Sequence, residues 1–138
     1  MNIYEWLEQV QKLDQLINAK LSEREQLWAL ATRVTPDTDG MPHGKGEVSD
    51  PVGNAVVKLV ALAEEINQLV DMYVAHKQKV ISALEELPAK EYGVLHRHYI
   101  KYMSWNAVAE DMGYCKQQIW RIRKKAISHL KDVIECYL

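Results

Sequence analysis

Ser104-Trp105-Asn106-Ala107-Val108-Ala109-Glu110-Asp111-Met112-Gly113-Tyr114-Cys115-Lys116-Gln117-Gln118-Ile119-Trp120-Arg121-Ile122-Arg123-Lys124-Lys125-Ala126 holds the punctuation that decides how this chain folds. Ser104 is a helix N-cap, because its hydroxyl can accept a bond from an unpaired N–H of the first turn. Gly113 is a C-terminal cap, because it tolerates left-handed backbone. Between them lies a short helix, Trp105–Met112, and beyond them a longer one is predicted over Cys115–Tyr137, with Ile119, Ile122, Ala126 and Leu130 recurring at three or four. Ala109 is small enough for two helices to cross closely, and Val108, Met112, Ile119 and Ile122 supply a shared core. The pattern predicts a helix-turn-helix. With that core turned inward, Gln117, Trp120, Arg121 and Lys124 fall at i, i+3, i+4 and i+7 on the opposite face. Glutamine suits adenine edges and arginine guanine edges, whereas Lys124 and Lys125 suit phosphates. Double-stranded DNA is therefore the expected partner.

Upstream, Leu87-Pro88 ends a long helix, since the residue before proline is pushed out of the α region. The next helix, Ala89–Ile100, is expected to turn Val94, Leu95 and Tyr99 inward. Ahead of Pro88, the positions Val52, Val56, Leu59, Ala63, Ile66, Val70, Tyr73, Lys77, Val80, Leu84 and Leu87 alternate spacings of four and three, broken only by Lys77. Ser49 or Asp50 caps this helix and Pro51 occupies its first position, where a missing N–H costs nothing. A first helix is predicted over residues 3–34, with Ile3, Trp6, Val10, Leu13, Ile17, Leu27, Ala31 and Val34 on one track. The glycine- and proline-rich stretch Thr35–Gly46 separates the two. Two long helices joined by a loop are expected to fold back as an antiparallel hairpin. Each stripe exceeds what one partner helix covers, so self-association is expected, a dimer first. Trp6, Trp28 and Trp105 are expected in cores or interfaces.

The charge is divided in the same way. The chain of 138 residues has a net charge of −2, but residues 1–86 carry −6 and residues 87–138 carry +4. A basic C-terminal part suits an anionic surface such as nucleic acid. The expected organisation is all-α: residues 1–86 as the helical hairpin and 87–138 as a three-helix DNA-binding domain.

The stretch Leu87-Pro88-Ala89-Lys90-Glu91-Tyr92-Gly93-Val94-Leu95-His96-Arg97-His98-Tyr99-Ile100, followed by Ser104 through Tyr114 and then Ile119, Ile122, Lys125-Ala126 and Leu130, resembles region four of bacterial sigma factors over about fifty residues. The upstream segments Leu30-Ala31-Thr32-Arg33-Val34-Thr35 and Val48-Ser49-Asp50-Pro51-Val52-Gly53-Asn54-Ala55-Val56 are similar to short phage and prophage proteins of Gram-positive bacteria, described as transcriptional regulators. The resemblance implies promoter-reading positions at Lys116, Gln117, Trp120 and Arg121, with Lys125 toward the backbone, and it allows contact with host RNA polymerase. The chain departs from the family at four places. Cys115 stands at a usual Ser or Thr cap, Ala107 at the acidic position of a capping box, Tyr102 at a turn glycine, and Trp120 at a polar reading position. The rival expectation is a phage packaging subunit of the small-terminase kind, or a structural adaptor, gripping DNA without sequence preference. A third is protein interaction alone.

Other chemistry finds little support in the sequence. Gly40-Met41-Pro42-His43-Gly44-Lys45-Gly46 lacks the spacing of a phosphate loop and the hydroxyl residue after its lysine. His96 and His98 are two apart, which on a helix points them away from each other. Glu64-Glu65 and Glu85-Glu86 are sequential, as on a solvent edge. No metal, cofactor or catalytic set is expected, and the reading is not an enzyme. Cys115 and Cys136 fit neither a disulfide framework nor a zinc spacing. With no apolar run near the roughly 18 residues of a membrane span and no visible secretory signal, the expected location is the cytoplasm.

Overall fold

The computed structural model describes residues 2–32 and 51–137. All regular structure among them is helical: α1 is Ile3–Thr32, α2 Pro51–Glu85, α3 Ala89–Leu95, α4 Trp105–Met112 and α5 Lys116–Tyr137. The all-α expectation is met, and Pro51 opens α2 as the sequence indicates. Val34, the Thr35–Gly46 stretch and the cap at Ser49 or Asp50 lie outside the described residues. No helix among the described residues is long and apolar enough to cross a membrane.

The helix expected over Ala89–Ile100 is not uniform. After α3 the backbone widens into a π turn over His96–Ile100, where the Lys101 N–H reaches the His96 carbonyl at 3.1 Å. At the entrance to this turn the Arg97 guanidinium donates to the Gly93 carbonyl at 3.1 Å. At Gly93 a Cβ would lie 2.9 Å from Arg97 Nη1 and 3.1 Å from Met112 Cε, the far ends of two flexible side chains that would have to shift to admit it. Val94, Leu95 and Tyr99 are buried as expected.

The chain forms two compact units, one of Met1–Gln15 with Asp71–Leu138 and the other of Leu16–Val70. This division runs elsewhere than the expected 1–86 and 87–138, and burial gives the reason. Leu7, Val10, Val80, Ala83 and Leu84 pack in one cluster with Leu95, Tyr99, Ala126, Ile127, Leu130 and Ile134. The start of α1 and the end of α2 thus share a core with α3 and α5. A second cluster in the same unit joins Val94, Val108, Ala109 and Ile119, with Met112 and Ile122 packed against it. Burying side chains of this size contributes roughly 1.5–3 kcal/mol each relative to exposure.

In the unit Leu16–Val70, Ile17, Ala55, Leu62 and Ile66 are buried, and Lys20 Nζ lies 3.2 Å from a Glu65 carboxylate oxygen. The expected stripe is only partly inside: Val56 is 47% and Val70 37% exposed, and Val57 and Val60 stand further out at 69% and 59%. The inward positions of α2 keep heptad spacing in two tracks, Leu59, Ile66, Tyr73 and Val80, and Ala55, Leu62, Leu69, His76 and Ala83, all buried or half-buried. One expected track thus goes inward, while Val56, Ala63 and Val70 lie one position past the buried edge and are exposed. Trp28, expected in a core or interface, is 62% exposed.

Candidate functional site

The geometry of the site starts with backbone bonds at the ends of α4 and α5. Ser104 Oγ accepts from the Ala107 N–H at 3.1 Å, so the cap forms without an acidic residue at position 107. At the other end Gly113 takes φ 71°, with the Tyr114 N–H bonded to the Ala109 carbonyl at 2.9 Å and the Gly113 N–H to that of Glu110 at 3.3 Å. This pair of bonds is a Schellman cap. Cys115 offers no side-chain oxygen to α5. Instead the Cys115 N–H donates to Gln118 Oε1 at 3.2 Å, the half of a capping box that depends on the third residue rather than on the cap. Gln118 was not singled out from the sequence, although its position three residues after Cys115 carries the signal.

Tyr102, in the turn before Ser104, adopts φ 59° and is left-handed backbone. Such a conformation costs an ordinary side chain roughly 1–2 kcal/mol. Its ring compensates by packing against the main core, and its hydroxyl is buried beside Tyr73 and Asp14. Burial pushes the hydroxyl well above the ordinary tyrosine range, and Tyr73 and Asp14 push the same way.

An ion pair and a histidine–carboxylate hydrogen bond tie the short helices to their neighbours. Arg97 Nε donates to Asp111 at 2.6 Å, joining the π turn to α4. His129 Nδ1 lies 2.9 and 2.8 Å from the two oxygens of Glu91, a buried carboxylate of α3, and so joins α3 to α5. The Trp105 ring stacks with His98 at 3.7 Å between centroids, and the Arg123 guanidinium lies 4.6 Å from its centroid. Arg123 is thereby withdrawn from the exposed basic run, and Trp105 is half-buried as expected. None of these pairings has a local sequence signal, since the partners lie 14 or more positions apart, apart from His98 and Trp105.

With α5 held by this frame, Lys116, Gln117, Trp120, Arg121, Lys124 and Lys125 are all exposed. Lys116, Gln117, Trp120 and Arg121 line one open surface depression. Lys124 Nζ sits 3.9 Å from the centroid of the Trp120 ring, a cation–π contact one helical turn apart. Lys125 is exposed outside that depression. The first turn of α5 contains no acidic side chain. Among the described residues no group of three or more His, Cys, Asp or Glu side chains is placed to hold a metal ion, and Cys115 is an exposed free thiol. No family model, curated protein or solved structure matches the chain.

The histidines beside this frame give it a pH dependence. Burial lowers His98, reinforced by Arg123 and opposed by the hydrogen bond to the Met103 carbonyl and by Glu8. Burial also lowers His96, with Lys101, Arg97 and Lys77 adding to it. Each folded-state value lies below the ordinary 6.5, so the unfolded chain binds more protons as the pH falls through that range. Stability is lost in the same direction. The urea midpoint should fall between about pH 7.5 and about pH 5.5, and the double variant His96→Gln/His98→Gln should fall less over that interval. Equal falls for the two proteins would count against these histidines as the cause.

Proposed function

We propose that the protein is a DNA-binding transcriptional regulator of phage or prophage genes, acting by binding rather than by catalysis in the cytoplasm. In this reading α1 and α2 form an antiparallel hairpin for assembly, and α3 to α5 form a sigma region-four-like helix-turn-helix domain. The observation that carries it is the α4–Gly113–α5 turn, with Gln117, Trp120, Arg121 and Lys124 exposed on the face opposite Ile119 and Ile122. Such a helix enters a major groove with its first turns against base edges. Gln117 and Arg121 are hydrogen-bonding readers, while Lys116, Lys124 and Lys125 neutralise phosphates. An α5 N-terminus free of acidic side chains in its first turn favours the same anionic surface. The resemblance to sigma factors extends the proposal to contact with host RNA polymerase.

A homodimer completes the reading. The exposed valines of α2, Val56, Val57 and Val60, form an apolar strip that a second copy would cover. Light scattering on the full chain should give twice the 15.9 kDa of one chain, and Val57→Glu with Val60→Glu should return the mass to that of a monomer. A monomeric wild-type chain would remove assembly from the proposal, and a larger ring would favour the packaging reading.

The DNA proposal separates into two measurable parts. Lys124→Ala with Lys125→Ala should weaken every duplex alike and lower the slope of log affinity against log salt by roughly two units. Arg121→Ala should cost about 1–3 kcal/mol on a selected duplex and little on random DNA. Equal losses on both DNAs for Arg121→Ala in gel-shift titrations would point to grip without readout.

A further inference from the structure

We infer that Trp120 is a specificity-determining residue that recognises the C5-methyl group of a thymine. The inference rests on the DNA-binding reading of α5 and names the chemistry of one contact within it. Trp120 is 54% exposed beside Lys116, Gln117, Arg121 and Lys124, and on its other side it borders a depression with half-buried Trp105 and buried Ile119. Tyr4, Met72 and Val74 are the other exposed large apolar side chains of the same compact unit, and none of them lines the depressions that Trp120 borders. A protein-docking face is built around a contiguous apolar centre. An exposed indole flanked by Lys116, Arg121 and Lys124 instead matches a surface that is strongly anionic with isolated apolar points.

The major groove of DNA is such a surface, and thymine's methyl is the apolar group that an unmodified base presents there. The ring is also unsuited to base stacking. The Lys124 ammonium, 3.9 Å from its centroid, occupies one face, and paired bases in a duplex offer edges rather than faces. Gln117 and Arg121, lining the same depression, read the hydrogen-bonding edges of neighbouring bases.

Replacing thymine by uracil removes this methyl and leaves the pairing and hydrogen-bonding edges unchanged. The full chain is used to select a duplex from a randomised pool, and that duplex is remade with each thymine replaced singly by deoxyuridine. Wild-type protein should bind one of these duplexes roughly fourfold more weakly, the factor expected for burying one methyl-sized group. Trp120→Ala should bind that duplex and its parent equally, and as an exposed position it leaves the fold intact. Tolerance of uracil at every position by wild type, or the same loss in Trp120→Ala, overturns the inference while leaving DNA binding in place. If uracil is tolerated and Trp120→Ala lowers the mass of an assembled chain, the indole is a protein contact and the inference is again overturned. Failure to recover any duplex defeats the DNA-binding reading itself.

Discussion

The apolar stripe of α5 is the constraint on which the rest of the C-terminal structure depends. Ile119 belongs to the small cluster with Val94, Val108 and Ala109, while Ala126, Ile127, Leu130 and Ile134 belong to the cluster shared with Leu7, Val10, Val80 and Leu84. One helix therefore serves two cores, and its rotation about its own axis is fixed twice. At 100° per residue, fixing Ile119 and Leu130 inward leaves Gln117, Arg121 and Lys124 no orientation except outward. The exposed basic face is a by-product of that packing.

That rotation would be of little use if the helix ends were loose. The Schellman cap at Gly113 and the bond from the Cys115 N–H to Gln118 set where α4 stops and α5 starts. Arg97 with Asp111 and Glu91 with His129 then tie these helices to α3 and its π turn. Tyr102 shows the balance most clearly. Its left-handed backbone is unfavourable for a tyrosine, and the ring buried against the main core offsets that cost. A glycine there would remove the strain and the anchor together.

Much of this was readable from the sequence, and the division follows the range of the interactions. Ser104, Gly113, Pro51 and the inward positions Ile119, Ala126 and Leu130 act within a few residues, so local chemistry identified them. The exposed positions Gln117, Trp120, Arg121 and Lys124 followed from the same periodicity, whereas Lys116 came only from the resemblance to sigma factors and Lys125 from the basic run beside Lys124. The unit boundary inside α1 and α2 did not, because it depends on Leu7 and Leu84 meeting Leu130 across the chain. The pairing of Glu91 with His129, 38 positions apart, and the capture of Arg123 by Trp105 were hidden for the same reason. In α2 the apolar spacing was read correctly as helical, but the buried edge runs through Ala55, Leu62 and Leu69, one position before the expected Val56, Ala63 and Val70.

The central claim is that one face of α5 is where the protein meets DNA. The most direct test is amide chemical-shift mapping of the isotope-labelled full chain as a short DNA duplex is added at low salt. The account predicts that the largest shifts fall on Gln117, Trp120, Arg121 and Lys124, including the indole N–H of Trp120, while Val57 and Val60 of α2 stay still. Shifts confined to α1 and α2, with the α5 face unmoved, would contradict it.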